Sequence, residues 1–223
     1  NAIRSSIPPT ERMWRLIFSH IFDFIIPPRR RAVSLISISP EELSALKIPS
    51  EYTYESALPY RDERVTGLVW ELKYYANKKA ALIAADVIKE DLLAIAADEI
   101  GKPLLIPIPM HDDRRRKRGH NQTEVLCEAV MEKLPDVYDY TPLTLRRTRN
   151  TPTQQGLTKE RREQNMYHAM EVRAPEEIRD RVCVVIDDVV TTGATLREAK
   201  RTLLEAGARK VVSVVLAATF YHS

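Results

Sequence analysis

Cysteine is the scarcest informative residue in this sequence. Its 223 residues include only two cysteines, Cys127 and Cys183, and each lies inside an apolar run. So few cysteines exclude a disulfide framework and a cysteine-rich zinc site. We expect both to be buried free thiols in a reducing compartment.

A long hydrophobic run is also missing. The N-terminal apolar stretch at residues 14–26 is interrupted by Ser19, His20 and Asp23, so it is too short and too polar to span a bilayer. No small-residue cleavage site follows it, which argues against a signal peptide. We therefore expect a cytoplasmic protein without a membrane span.

A large excess of charge of one sign is absent as well. The chain has 34 basic and 31 acidic residues and a net charge of +3, which excludes a polycation. The basic residues are nevertheless clustered. Such clusters suit a polyanionic ligand such as phosphate, pyrophosphate or nucleic acid, although any single cluster is more often solvated surface. The clusters lie at residues 29–31, 114–118, 146–149 and 161–162.

The pattern of the chain changes near residue 50. Residues 12–26 place apolar side chains at helical spacing, two prolines end that helix, and residues 29–50 form a poorly patterned connector. We therefore predict an N-terminal helical appendage at residues 1–50 and a single domain at residues 51–223. With 44% hydrophobic residues, a chain of this length can bury a core of its own.

Residues 51–223 alternate between predicted helices and apolar strands. Strands that are apolar on both faces and alternate with helices indicate a buried, mostly parallel sheet, so the domain is predicted to be α/β and doubly wound. A short strand at residues 143–145 and a short helix at residues 158–165 are less strongly patterned. The main predicted strands are residues 104–109, 182–186 and 211–217, and the main predicted helices are residues 65–75, 80–97, 121–134 and 196–206.

The most informative segment joins the strand at residues 182–186 to the helix that follows it. The strand leads directly into Asp187 and Asp188, and a short loop with one glycine comes next. Ligands of open α/β sheets bind beyond the carboxyl ends of the strands. A loop that offers backbone N–H groups, hydroxyls and a helix N-terminus is an anion site. The predicted phosphate-binding residues are Thr191, Thr192, Gly193, Ala194 and Thr195.

The two carboxylates suit a different part of the same ligand. Asp187 and Asp188 would repel a phosphate that they faced, but they can accept hydrogen bonds from the hydroxyls of a ribose 2′,3′-diol. Phosphate at the loop and diol at the carboxylates together describe a ribose 5-phosphate. A plain strand–turn–helix connection explains an isolated pair of acids, but it explains the complete string less well. A receiver domain needs more chain after its acids, and the P-loop string GxxxxGK[ST] is absent.

Residues 184–196 resemble the phosphoribosyl pyrophosphate (PRPP) signature of type I phosphoribosyltransferases. Residues 57–218 resemble one branch of that superfamily, the ComF/GntX family of competence-associated proteins, which implies the type I phosphoribosyltransferase fold. The matching pieces, in the family's order, are Leu72-Lys73-Tyr74, Pro107-Ile108-Pro109, Arg114 with Arg118-Gly119-His120-Asn121-Gln122, and Arg149 with Thr153, Gln154, Leu157, Arg161 and Asn165.

The resemblance assigns roles to the acids and to two arginines. It implies that Asp187 and Asp188 are the catalytic residues that hold the ribose diol. It also implies that Arg114 and Arg118 bind pyrophosphate, for which permanently charged, bidentate guanidinium groups are suited. The alternative for the arginines is a solvated basic loop.

Further contacts follow from the same resemblance. In related enzymes a flexible loop closes over the reaction centre and excludes water, and here that loop would carry Arg149, Thr153 and Gln154. An ordinary surface loop is the alternative. Lys73 is either a ligand contact or a solvated lysine on a helix, and the family pattern favours the contact.

The ions expected at the site also follow from the resemblance. Mg²⁺ would be bound together with PRPP. Many family members carry a four-cysteine zinc ribbon near the N-terminus, but residues 29–56 contain no cysteine, so no zinc is expected. We predict no metal held by the protein alone, because His111, His120 and His168 lack the spacing of metal ligands.

Two positions depart from the family pattern. His120 stands where Phe or Tyr is usual, and Thr191 stands where some purine-salvage relatives have an acidic residue as a candidate base. A threonine hydroxyl cannot act as a base at neutral pH. Either the acceptor needs no such base, or the base lies elsewhere, or there is no transfer reaction.

Three functions remain open at this stage. The first is a phosphoribosyltransferase that acts on an unknown acceptor with release of pyrophosphate. The second is a non-catalytic PRPP or nucleotide sensor, since one fold hosts both functions. The third is an accessory protein in DNA uptake that contacts DNA or a partner protein. The N-terminal helix would serve such a contact, pack on the domain or form a homodimer.

Overall fold

The computed structural model describes residues 39–49, 54, 56–149 and 167–219. In these ranges the strands are β1 (Ile48–Pro49), β2 (Ser56–Pro59), β3 (Leu104–Pro107), β4 (Asp139–Tyr140), β5 (Leu145–Arg147), β6 (Met170–Val172), β7 (Val182–Val190) and β8 (Lys210–Ala218). The helices are α1 (Pro40–Ser44), α2 (Glu63–Tyr75), α3 (Lys78–Ala97), α4 (Asp112–Arg118), α5 (Gln122–Lys133), α6 (Pro175–Ile178) and α7 (Ala194–Glu205).

Six of these strands form one sheet in the order β1-β2-β8-β7-β3-β4. The long strands β7 and β8 lie at its centre and pair in parallel from Val182 opposite Lys210 to Val190 opposite Ala218. The pairs β3–β7, β3–β4 and β2–β8 are parallel as well, whereas β1 pairs antiparallel with β2 at the edge. The mostly parallel α/β sheet predicted from the sequence is confirmed.

Both faces of the sheet are covered, which explains why its strands are apolar throughout. In β7, Val184 and Ile186 point to the face that packs against α2, α3 and α5. Cys183 and Val185 point to the opposite face, which packs against α7 and against the antiparallel hairpin of β5 and β6. Successive side chains of a strand alternate between faces, so the acids that follow are divided between these two sides.

Several predicted boundaries were wrong. β7 does not end at Ile186 but continues to Val190, because pairing with β8 extends to its last residue. The basic run at residues 114–118 is not a loop but part of α4, whose first turn is acidic and which ends at Gly119 in the left-handed conformation. α7 begins at Ala194, two residues earlier than predicted.

Of the other predicted elements, one strand is displaced and two helices lie outside the described residues. The strand predicted at residues 143–145 is displaced to Leu145–Arg147. The helices predicted at residues 12–26 and 158–165 lie outside the described residues, and the domain boundary near residue 50 stays a prediction. Of the helices that the structure describes, none combines the length and the hydropathy that crossing a membrane requires.

Candidate functional site

The candidate site lies at the carboxyl ends of the parallel strands. β3 ends at Pro107 and β7 at Val190, and these strands are direct neighbours in the sheet. The carboxyl edge of an open α/β sheet is where such folds bind ligands. The segments that leave this edge are the connection to α4 and the loop to α7, so the sheet brings both predicted phosphate-binding segments to the same edge.

Asp187 and Asp188 lie within the second half of β7 rather than beyond its end. Each is only 7% exposed. The backbone N–H of Asp188 donates to Oδ1 of Asp187 at 2.9 Å. Burial in the protein, and then the negative charge of Asp188, raise the pKa of Asp187 well above its ordinary value. A carboxyl group in this state is suited to hydrogen bonding with neutral hydroxyls rather than to solvation.

Alternation along the strand sends the two acids in different directions. Asp188 shares the face of Ile186, on which α2 packs, whereas Asp187 shares the face of Val185, on which the β5–β6 hairpin packs. The charges that act on neighbouring cations agree with this arrangement. Asp188 acts more strongly than Asp187 on Lys73 of α2, and Asp187 acts on Arg147 of β5.

The loop between β7 and α7 has the backbone of an anion site. Gly193 occupies the N-cap position with φ of 72°, a left-handed conformation that glycine adopts without strain. Because glycine has no side chain to cap the helix, the first-turn N–H groups that follow Ala194 can serve a ligand. The Thr192 hydroxyl accepts a hydrogen bond from the N–H of Ala194 at 3.4 Å, and Thr191 is exposed at the mouth of the loop.

The basic helix α4 divides its side chains between protein partners and the site. Arg115 is paired with Glu124 at 2.6 Å and Arg116 with Asp113, both on the outer side. Arg118 donates to Oε1 of Gln122 at 2.8 Å and lies with its guanidinium 5.6 Å from the centre of the Tyr74 ring.

Arg114 of the same helix is turned towards the interior. Burial, and then the charge of Arg118, lower the pKa of Arg114 from its ordinary value. Its charge acts on the ammonium group of Lys73 as well. The structure thus brings the two arginines singled out in the sequence to one group of cations.

Lys73 joins the group from the end of α2. Burial is the largest influence on its ammonium group and lowers its pKa to about 8, although the charge of Asp188 acts in the opposite direction. Its Nζ lies 5.9 Å from the centre of the Tyr74 ring. The charges of Asp187, Asp188, Arg114 and Arg118 all act on it. The structure thus brings Lys73 together with both acids and both predicted pyrophosphate-binding arginines.

Buried hydrogen bonds hold this arrangement in place. Nδ2 of Asn121 and Oγ1 of Thr123 both donate to the carbonyl oxygen of Ile108, at 3.0 Å and 2.7 Å, and so fix the start of α5 against the end of β3. Nε2 of His120 donates to the carbonyl oxygen of Leu72 at 3.0 Å and ties the same connection to α2. In this chain His120 therefore has a polar positioning role at a place where an aromatic residue is usual.

Comparison with protein families identifies the domain. The model of the phosphoribosyl transferase domain matches residues 78–220, well over half of the chain and all of the site except Lys73. The chain belongs to this family. Within the phosphoribosyltransferase superfamily its curated relatives place it in the ComF branch, as the resemblance indicated.

Two of these relatives show how the length of the match varies. The DNA utilization protein YhgH of Salmonella typhi is 32% identical over 147 residues, which cover 65% of this chain and 63% of that protein. Competence protein F of Haemophilus influenzae is 32% identical over 108 residues, covering 48% of this chain and 46% of that protein. The chain therefore spans less than two thirds of the length of the relatives that it matches.

Solved structures of phosphoribosyltransferases are more distant. Hypoxanthine phosphoribosyl transferase of Trypanosoma cruzi is 16% identical, with a TM-score of 0.40, over 63% of this chain and 66% of that one. Hypoxanthine phosphoribosyltransferase of Staphylococcus aureus is 14% identical, with a TM-score of 0.37, over 64% and 65% of the two chains.

The oxygen donors of this phosphoribosyltransferase domain fit Mg²⁺. This ion usually binds one or two carboxylates together with substrate phosphates and retains several waters. Asp187 and Asp188 supply such a pair of carboxylates. Within the described ranges no group of three or more His, Cys, Asp or Glu side chains could hold a metal ion. The donor set therefore suits an ion that arrives with a phosphate ligand.

Sequence reasoning missed Arg147 in this domain. The predicted member of the basic run was Arg149, which is exposed and donates to the carbonyl oxygen of Tyr167. Arg147, two residues earlier, is half-buried. Burial, and then the charge of Arg114, lower its pKa to about 10, whereas the charge of Asp187 acts in the opposite direction. The strand was predicted at residues 143–145, so the sequence did not predict that Arg147 lies on the inner face of a strand. Thr153 and Gln154 lie outside the described residues.

Proposed function

We propose that this phosphoribosyltransferase domain binds PRPP together with Mg²⁺. The observation that carries the proposal is the gathering of charges around Lys73 at the carboxyl edge of the sheet, where Asp188, Arg118, Arg114 and Asp187 all act on its ammonium group. Half-buried cations beside buried carboxylates, next to a glycine N-cap, suit a ligand that carries a diol with phosphate groups on either side of it. PRPP has this combination of groups.

Each part of PRPP has a proposed partner. The carboxylates of Asp187 and Asp188 accept hydrogen bonds from the ribose hydroxyls and so orient C1. The backbone N–H groups at the start of α7 and the hydroxyls of the loop bind the 5-phosphate. The 5-phosphate-binding residues in this proposal are Thr191, Thr192, Gly193, Ala194 and Thr195.

The pyrophosphate lies against the cationic group in this proposal. Arg114 and Arg118 bind its oxygens, and Lys73 adds a third positive charge. Burial lowers the pKa values of Arg114 and Lys73 because it leaves their charged forms poorly solvated, so an anion bound beside them gains binding free energy.

The reaction that this geometry supports is phosphoribosyl transfer. An acceptor nucleophile forms a bond to C1 of the ribose, the bond from C1 to the pyrophosphate oxygen breaks, and pyrophosphate leaves with the bonding electrons. Positive charge develops at C1 and negative charge on the leaving group, so fixed cations beside the pyrophosphate lower the barrier. Bound Mg²⁺ would supply further neutralisation of the pyrophosphate oxygens, held by Asp187, Asp188 and the phosphates.

The experiment is calorimetry of PRPP with Mg²⁺ on the native chain and on the double variant Asp187→Asn/Asp188→Asn. We expect binding by the native chain and its loss in the double variant. Asp136→Asn is the control, because the Asp136 side chain is 95% exposed and distant from the strand end. Failure of a folded native chain to bind PRPP would overturn the proposal.

Turnover separates an enzyme from a sensor on the same site. Pyrophosphate release that depends on an added acceptor identifies a transferase. Tight binding of PRPP without release, across a panel of purine, pyrimidine and amine acceptors, identifies a sensor. Thr191 supplies no base, so acceptors that are nucleophilic without deprotonation belong first in that panel.

A part in DNA handling is the second candidate function, favoured by relatives named as DNA utilization and competence proteins. Its test is the binding of a fluorescent single-stranded oligonucleotide at increasing salt. A steep fall in affinity with salt supports contacts to the phosphate backbone. Competition by PRPP would place such contacts at the same site, and its absence would place them elsewhere.

A further inference from the structure

Glu198, in the second turn of α7, is a buried carboxylate that binds a different element of the fold. It is only 4% exposed. Its Oε1 accepts hydrogen bonds from the backbone N–H of Ala169 at 3.0 Å and from Arg201 at 2.8 Å, and its Oε2 accepts from Arg201 at 3.0 Å. Both carboxylate oxygens are therefore engaged by protein donors, and one of those donors is the backbone at the end of the β5–β6 hairpin.

Stability alone is a weak reason for a carboxylate at this position. Burial of an ion pair costs desolvation, and apolar residues of similar volume are often at least as stabilising in its place. The other buried side chains of α7 are mostly apolar, among them Leu196, Ala199 and Leu203. An apolar side chain at position 198 would leave the Ala169 N–H without this acceptor. What the carboxylate adds is therefore a fixed position for the end of the hairpin.

The backbone at this end of the hairpin has an unusual conformation. His168 has a φ of 55°, a left-handed conformation that residues with a side chain seldom adopt. Such a conformation persists where the surroundings fix it. Glu198 fixes the next residue, Ala169, and the guanidinium group of Arg201 lies 5.3 Å from the centre of the Tyr167 ring. Two side chains of α7 thus contact the residues on both sides of His168.

The start of α7 lies one turn from Glu198. Gly193 at the N-cap supplies no side-chain cap, and an uncapped first turn opens more readily than the rest of a helix. An anion at this end supplies acceptors for the N–H groups of the first turn and is favoured by the helix dipole. Glu198 follows Ala194 by four residues and lies on the same side of the helix. An anion that restrains this turn therefore also restrains Glu198.

We propose that Glu198 is a positioning residue that transmits occupancy of the phosphate-binding loop, residues 191–195, to the end of the hairpin. The anion restrains the start of α7, the helix holds Glu198, and Glu198 holds Ala169. The carbonyl oxygen of Ala169 in turn accepts a hydrogen bond from the N–H of Thr148 at 2.9 Å, which closes the end of the hairpin. The inference rests on the proposed function, because the anion is the 5-phosphate of the proposed ligand.

Hydrogen exchange of the Thr148 and Ala169 N–H groups tests the inference, measured by NMR with and without saturating ribose 5-phosphate. We expect the ligand to slow exchange about 5- to 10-fold in the native chain, at the low end of ordinary coupling between sites, and less than about twofold in Glu198→Ala. Glu198→Gln should restore most of the effect, because its amide oxygen still accepts from Ala169. Both variants lose the ion pair with Arg201, so a merely structural role predicts no difference between them.

Glu205→Ala is the matched control for this experiment. Glu205 also pairs with Arg201, but its side chain is 62% exposed and it has no bond to the hairpin among the described contacts. Its response to ribose 5-phosphate should equal that of the native chain. Arg201→Met provides a second variant if Glu198→Ala does not fold, because it removes the fork that orients Glu198. A native response in folded Arg201→Met would show that the oriented carboxylate is not the link.

The outcomes separate this inference from the proposed function. If calorimetry shows that the native chain binds ribose 5-phosphate, but the exchange rates do not change or change equally in Glu198→Ala, the inference is wrong while the proposed function stands. If the native chain binds inorganic phosphate but not PRPP, the proposed function fails, and exchange with phosphate still decides the role of Glu198. If it binds neither ribose 5-phosphate nor phosphate, both fail, because the loop then receives no anion.

Discussion

Oε1 of Glu198 in α7 accepts a hydrogen bond from the backbone N–H of Ala169 at 3.0 Å. Glu198 is only 4% exposed, and Arg201 donates to both of its carboxylate oxygens, at 2.8 Å and 3.0 Å. Ala169 precedes β6, and its carbonyl oxygen accepts a hydrogen bond from the N–H of Thr148, the residue after β5. One carboxylate thus connects the helix that follows the phosphate-binding loop to the hairpin that carries Arg147.

Removal of this carboxylate should destabilise the domain. We expect Glu198→Ala to lower the free energy of unfolding by about 1–3 kcal/mol, because it deprives the Ala169 N–H and the Arg201 guanidinium of that buried acceptor. Chemical denaturation measures the change. The matched control is Glu205→Ala, which also pairs with Arg201 but is 62% exposed, and it should change stability by less than about 0.5 kcal/mol. Equal effects of the two variants would contradict the role given to Glu198.

Asp187 should make the domain less stable as pH rises. Its pKa in the folded protein lies above the ordinary value of 3.8, so the folded state retains a proton that the unfolded state releases, and stability falls between these two pKa values. Asp187→Asn should therefore raise stability at neutral pH and flatten this dependence, while it weakens PRPP binding.

Denaturation of native and Asp187→Asn protein from pH 4 to pH 8 provides the measurement. Asp136→Asn serves as the control, since an exposed carboxylate has little influence on this dependence. An unchanged pH profile in Asp187→Asn would show that the buried carboxyl is not the titrating group.

Gly193→Ala should separate stability from ligand binding. A residue with a side chain at φ of 72° is strained by about 1–2 kcal/mol, and its Cβ would lie where the backbone must approach a phosphate. Gly101→Ala is matched to it, because Gly101 has φ of 82° and an added Cβ meets nothing within 4 Å. Both variants should lose similar stability in thermal denaturation, but only Gly193→Ala should lose affinity for PRPP and ribose 5-phosphate. Equal affinities would argue against a phosphate at this loop.

Lys73 should give PRPP binding a dependence on pH near 8. With its pKa lowered to about 8, the ammonium group loses its charge as pH rises through this value, so affinity should fall between pH 7 and pH 9.5. Lys73→Arg should remove that fall, since arginine stays charged throughout. Calorimetry across this pH range tests the prediction, with Lys79→Arg on the exposed side of α3 as the control. A fall that persists in Lys73→Arg would assign the titration to another group.

Titration of Lys73 should change the stability of the domain with pH in the direction opposite to the titration of Asp187. The folded pKa of Lys73 lies below its ordinary value of 10.5, so the unfolded state binds more protons between the two values and stability rises with pH there. Lys73→Met should therefore raise stability at neutral pH, as measured by chemical denaturation. A less stable Lys73→Met variant at pH 7 would indicate that the ammonium group is not desolvated in the fold.

The class of fold and the centre of the candidate site follow from local sequence patterns. Strands such as residues 182–186 have apolar side chains on both faces, and both faces must be buried. In a chain where such strands alternate with helices, this predicts a parallel sheet. The string from Asp187 to Thr195 also carries its chemistry locally, because the acids, the glycine and the helix start are neighbours in the chain.

The residues of α4 carry a local signal for a helix. Asp112 and Asp113 lie in its first turn, four basic residues lie in its last turn, and the His111 side chain accepts a hydrogen bond from the N–H of Asp113. Charges placed in this order along the helix dipole, followed by a glycine, are a signature of a helix. The basic run therefore had a structure that could have been predicted from the residues.

Which charged side chains share the site depends on strand pairing and on the packing of helices against the sheet. β7 continues to Val190 because β8 pairs with it to the end, and this puts Asp187 and Asp188 on opposite faces of one strand. Lys73 reaches one face from α2, and Arg147 reaches the other from β5, where it lies opposite Met170 of β6. Residues so far apart in the chain meet through packing and strand pairing, and neither is encoded in the local pattern around any one of them.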